Sequence, residues 1–150
     1  MNRFELWVDG SYNARTRMIG SAALIKYVDE DGVDLCEPIT WVSSEIDATG
    51  MRNVLGEITA VYGGMDIILT LLKHFPSSSS VTIFYDYIGI ENWITGKWQA
   101  KNIQTKRYRQ FMLFAQQRVS LEFQHVTGHS NVYENELVDS LAKQSAGITT

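Results

Sequence analysis

The chain has 150 residues and a mass of 17.0 kDa, the size of one ordinary domain, since domains take roughly 100–200 residues each. It is 45% hydrophobic and 20% charged, with four Trp, seven Tyr and six Phe, which is too apolar for intrinsic disorder and enough to bury a core. A net charge of −4 excludes a general polyanion binder by bulk charge. The lone Cys36 excludes an internal disulfide and a cysteine-rich zinc site. One domain over residues 1–150, monomeric and cytoplasmic, is the expectation. No apolar run approaches the roughly 18–20 residues that cross a bilayer, so neither a transmembrane helix nor a signal peptide is expected.

Residues 3–9 alternate, with Phe4, Leu6 and Val8 on one face, and predict a strand that Asp9 closes. Residues 18–28 and 33–42 read as two further strands joined by the polar turn at residues 29–32, a hairpin. After the break at Asp47-Ala-Thr-Gly50, Val54, Ile58, Val61, Met65, Ile68 and Leu72 recur at helical spacing, predicting a helix over about 53–74. Pro76 and four serines end it. A fourth strand over 81–86 closes on Asp86, and a short helix runs through Ile90, Trp93 and Ile94. A helix over about 103–117 and a strand over 121–126 follow, and Val138, Leu141, Ala142 and Ser145 mark a last helix. A hairpin-rich start followed by strand–helix alternation implies an α/β fold, a mixed sheet packed with helices.

Charge is segregated. From Asn92 to Leu121 there is no Asp or Glu, while Lys97, Lys101, Lys106, Arg107, Arg109 and Arg118 carry +6; the chain's net −4 leaves −10 on the rest. Trp93 and Trp98 flank the start of this run. It reads either as a solvated helix face with two half-buried indoles or as an aromatic, basic surface that grips a nucleic-acid backbone.

Four carboxylates stand at element ends. Asp9 and Asp86 close strands that a helical crossover makes parallel, and ligands bind at the carboxyl ends of such strands. Glu57 lies about 60° from Val54 on the edge of its helix's apolar stripe, half-buried against the sheet. Asp139 is expected in the first turns of the last helix, beside Val138. Singly, Asp9 would cap a turn and Asp139 a helix. Gathered together they would be costly without a cation. Two Mg²⁺ ions would balance four carboxylates, and hard oxygen ligands point to Mg²⁺, with Mn²⁺ as a substitute. Two such ions suit an in-line phosphodiester displacement.

These residues sit in ordered motifs: Val8-Asp9-Gly10-Ser11, Asn53-Val-Leu-Gly-Glu57, Phe84-Tyr85-Asp86, and His125-Val-Thr-Gly-His129 running on to Asp139-Ser-Leu-Ala142. Together they resemble ribonuclease H of type 1, which cuts the RNA strand of an RNA/DNA hybrid to leave 5′-phosphate and 3′-hydroxyl ends. The resemblance implies a five-stranded mixed sheet of order 3-2-1-4-5 flanked by helices, with Asp9, Glu57, Asp86 and Asp139 as metal ligands. It implies that His129 aids proton transfer or product release; His125, at a strand end, and His74, before Pro76, read from their positions as structural. It also implies that Gly10, Ser11 and Asn53 approach the hybrid, with Trp93, Lys97, Trp98 and Lys101 on its DNA strand. Tyr87, Ile88 and Arg52 depart from the family pattern. A fold relative that cuts DNA and a non-catalytic hybrid-binding module are the competing readings.

Overall fold

The computed structural model describes residues 2–29, 32–35, 37–44, 50–73, 79–127 and 131–148. His129, His74 and Cys36 lie outside the described residues. The elements in chain order are β1 (Asn2–Asn13), β2 (Met18–Asp29), β3 (Gly32–Leu35), β4 (Ile39–Ser44), α1 (Asn53–Leu72), β5 (Ser79–Tyr85), α2 (Gly89–Thr95), α3 (Ile103–Gln116), β6 (Ser120–His125) and α4 (Tyr133–Ser145). The sheet runs β3-β2-β1-β5-β6, with β4 also paired to β2. β1 and β2 are antiparallel, whereas β5 and β6 run parallel to β1 and to each other. With β3 and β4 counted as the one expected third strand, this is the mixed 3-2-1-4-5 order.

That third strand is divided for a physical reason. β3 pairs Lys26 with Leu35, while β4 pairs Ala23 with Ile39, so the register advances three positions on β2 and four on the other strand. Pro38, with no N–H to give the ladder, stands just before β4.

β1 is also longer than its alternation predicts. Asp9, Gly10 and Ser11 lie inside it, because the β2 hairpin continues pairing as far as Asn13↔Met18. The Asn13 side chain holds the turn, accepting from Arg15 N (3.1 Å) and Thr16 N (3.3 Å) and donating to the Ala146 carbonyl (3.0 Å).

The two faces of the sheet carry two cores. Phe4, Leu6, Val8, Ile25, Val81 and Ile83 meet Val61, Met65 and Ile68 of α1 and Tyr108 and Met112 of α3. On the other face Trp7, Ala22 and Leu24 pack on Val138 and Ala142 of α4; there the Trp7 and Phe84 rings stack at 3.9 Å. The molecule is therefore three layers, with α1–α3 on one side of the sheet and α4 on the other.

Helix α1 corrects one expectation, being 20 residues long and apolar enough to cross a bilayer. It behaves here as a core helix, burying Gly56, Glu57, Ala60, Val61, Gly64 and Ile68 on its sheet-facing side. Its first turn is drawn close by glycine: a Cβ on Gly10 of β1 would collide with the backbone of Asn53, Gly56 and Glu57.

Candidate active site

Parallel pairing between β1 and β5 ends at Trp7↔Phe84. Asp9 and Asp86 each lie two residues beyond that pair, so the register sets them level with one another. Asp9 is inside β1 rather than at its end, yet it is past the last parallel partner, which creates the same opening between strands. α1 supplies Glu57 from one layer and α4 supplies Asp139 from the other; Asp139 stands midway along α4 rather than in its first turns, because the helix begins already at Tyr133. The three layers thus meet at the carboxyl ends of β1 and β5.

Burial and bonding differ among the four. Glu57 is 3% exposed, more deeply buried than its helical position predicts, because the glycine contact pulls α1 onto β1. Its Oε1 accepts from the backbone N–H of Asp86 at 2.9 Å and of Tyr87 at 3.3 Å. Burial pushes its carboxyl up to about 7, against those two N–H groups, with the Asp86 charge adding to the rise. Asp9 accepts from Gly10 N at 2.9 Å. Burial, then the Glu57 charge and a hydrogen bond with the Asp139 carboxyl, raise Asp9 to about 8. Asp139 also pairs with Lys143 one turn on, at 3.0 Å. Asp86 is exposed.

Among the described residues no three Asp, Glu or His side chains converge on one point as a ready-made ion site. The chemistry of the donors nevertheless fits a divalent cation. All four are oxygen acceptors, and the carboxyls of Asp9 and Glu57, raised first by burial and further by neighbouring carboxylates, would be relieved by a cation's charge. Asp9, Glu57, Asp86 and Asp139 would be the residues to hold it.

Gly10 and Ser11 lie in β1 beside Asp9, and Asn53 is exposed at the start of α1. Arg52, just before it, has φ +52° and carries its guanidinium over the Tyr12 ring at 5.4 Å. Trp93 is not at the surface. It is 8% exposed, lies in the core, and takes Arg109 Nε on its carbonyl at 2.9 Å. Trp98, 38% exposed, stands edge-on to Trp93 and Tyr87 and is the indole open to solvent. Lys97 and Lys101 are exposed on the same loop between α2 and α3.

Sequence reasoning missed two features near the carboxylates. His125 Nε2 lies 2.7 Å from the Asp86 carbonyl oxygen, and the buried Tyr85 hydroxyl donates to Glu91 at 2.7 Å. His125 was legible as the end of a strand beside Asp86's strand, but its bond depends on the β5–β6 register.

A mixed sheet in this order, with carboxylates gathered from three layers at its parallel strand ends, defines a ribonuclease H-like fold. RNase H1 from the archaeon Halobacterium salinarum NRC-1 is similar over 97% of this chain and 98% of its own, at 16% identity and a TM-score of 0.70. The N-terminal RNase H domain of a Mycobacterium tuberculosis protein, solved as a fusion with maltose-binding protein, is similar over 98% of both chains at 13% identity and a TM-score of 0.71. LC11-RNase H1, from compost, solved in complex with an RNA/DNA hybrid, matches 95% of this chain and 98% of its own at 17% identity and a TM-score of 0.70. These likenesses establish the fold. No curated protein sequence matches the chain. The RNase H family model matches residues 1–147. The chain belongs to the RNase H family, and its class is that of a ribonuclease H enzyme.

Proposed function

We propose that the chain hydrolyses the RNA strand of RNA/DNA hybrids, leaving 5′-phosphate and 3′-hydroxyl ends, with residues 1–150 as one catalytic domain acting as a monomer. The observation that carries this reading is the pairwise contact of Asp9 with Glu57 and Asp139, and of Glu57 with the Asp86 backbone, beside the carboxyl ends of β1 and β5 in a chain of this family. That LC11-RNase H1 binds a hybrid supports the substrate.

In this reading Asp9, Glu57, Asp86 and Asp139 would hold two divalent cations, Mg²⁺ with Mn²⁺ as a substitute. Such ions would supply Lewis-acid charge stabilisation to phosphodiester hydrolysis. The chain's own residues do the rest. Glu57 anchors the backbone of Asp86, and Gly10 N–H orients Asp9. Gly10, Ser11 and Asn53 face the hybrid, where short side chains permit contact with a ribose 2′-hydroxyl. Trp98, Lys97 and Lys101 grip the DNA strand by stacking and charge. His129 passes a proton at the leaving oxygen, as an imidazole with an ordinary value near 6.5 can.

The test offers one end-labelled sequence as hybrid, duplex RNA, duplex DNA and single-stranded RNA, with Mg²⁺ or with EDTA, to the protein and to Asp86→Asn. The expected result is cutting of the hybrid's RNA strand alone, lost with EDTA and in the variant. Cutting of DNA, hybrid binding without cutting, or an active Asp86→Asn protein would overturn it.

A further inference from the structure

β5 stops at Tyr85, paired with His125, the last residue of β6, and the sheet's ladder closes with Val126 N donating to Tyr85 O at 2.7 Å. The next peptide unit, from Asp86 to Tyr87, has no strand partner among the described residues. Two side chains take the ladder's place. Its carbonyl oxygen is bonded to His125 at 2.7 Å, and its N–H donates to Glu57 Oε1 at 3.3 Å. A carbonyl can only accept, so His125 Nε2 carries the proton and donates. The N–H of Asp86 itself also donates to Glu57, at 2.9 Å. One peptide plane is therefore held at both ends, from β6 on one side and α1 on the other, directly behind the exposed carboxylate of Asp86.

We propose that His125 is a positioning residue for Asp86, fixing through the backbone carbonyl the direction in which that carboxylate meets a divalent cation. The inference rests on the cation-site reading above. Its logic is that of outer hydrogen bonds that orient metal ligands: a carboxylate on an unpinned backbone samples orientations that each binding event must then select against. The His125 ring also lies 5.5 Å from the Tyr85 ring, so packing and hydrogen bonding can be separated by substitution. His125→Phe keeps an aromatic ring on Tyr85 and removes the donor. His125→Gln removes the ring and keeps an N–H of similar reach.

The test uses the full chain in three forms, wild type, His125→Phe and His125→Gln. Mn²⁺ binding to the cation-free protein is titrated without substrate, the Tyr87 amide exchange rate is read by NMR, and kcat and KM are measured on a hybrid. For the Phe variant we expect roughly 10-fold weaker Mn²⁺ binding. We also expect faster Tyr87 exchange, a lower kcat at limiting cation and an unchanged hybrid KM. The Gln variant should recover most of each. Wild-type Mn²⁺ affinity in the Phe variant, or equal losses in both variants, would overturn the proposal. A wild-type protein that binds Mn²⁺ but leaves hybrids intact would sink the cleavage reading, while the titration and the amide exchange would still decide the role of His125.

Discussion

The raised carboxyls of Asp9 and Glu57 make the cation-free protein's stability fall as pH rises. A carboxyl that holds its proton more tightly folded than unfolded stabilises the fold fully below its unfolded value, and that contribution is lost as pH climbs through the folded one. For Glu57 the window runs from 4.5 to about 7. At about 1.4 kcal/mol per pH unit, that displacement costs about 3 kcal/mol of stability between pH 4 and pH 8. Asp9, moved from 3.8 to about 8, extends the fall in the same sense. For a chain of this size about 3 kcal/mol corresponds to a Tm lower by about 6–12 °C. Glu134, held low by its hydrogen bond to Lys26, acts in the opposite sense below its unfolded value of 4.5 and so outside this window. The assay is thermal unfolding in EDTA at half-unit steps from pH 5 to pH 8, repeated with Mg²⁺. Asp9→Asn should flatten the EDTA curve and raise Tm at pH 8, and Mg²⁺ should restore the wild type at that pH by binding the folded state. A wild-type Tm in EDTA that stays level or rises from pH 5 to pH 8 would refute the reasoning.

Two further outcomes follow from packing and exposure. Gly10→Ala drives a methyl group into the backbone of α1 at Asn53, Gly56 and Glu57; backbone yields less than side chains, so a loss of about 3 kcal/mol or more is expected by denaturant unfolding. Trp98→Ala removes an indole open to solvent beside Lys97 and Lys101. It should raise the hybrid KM about 5-fold or more, as stacking of about 1–3 kcal/mol per base implies. Steady-state kinetics at one salt concentration and a Tm within about 3 °C of wild type would check it.

Sequence by itself determined the order of the elements apart from the division of the third strand, the faces of β1 and α1, and Asp86 at a strand end and Glu57 near a helix start, because alternation and helical spacing are local consequences of burial on one side; Asp9 lies inside β1 and Asp139 midway along α4. It placed the acid-free stretch from Asn92 to Leu121 without showing which of its indoles meets solvent. Tertiary structure decided that. Trp93 is consumed by the core under α3, and Trp98 is left outside on the loop. It also decided that β1 runs on past Asp9, since the partner that lengthens it is β2, and that the third strand is divided near Pro38, a matter of its register against β2. Glu57 is fully buried because Gly10, 47 residues earlier, lets its helix close on β1. The hold of His125 on Asp86 arises in the same way, from two parallel strands brought level. Spacing along a chain reports which side of an element a residue occupies. What that side touches is set by residues distant in sequence, and here those contacts raise two carboxyls and aim a third.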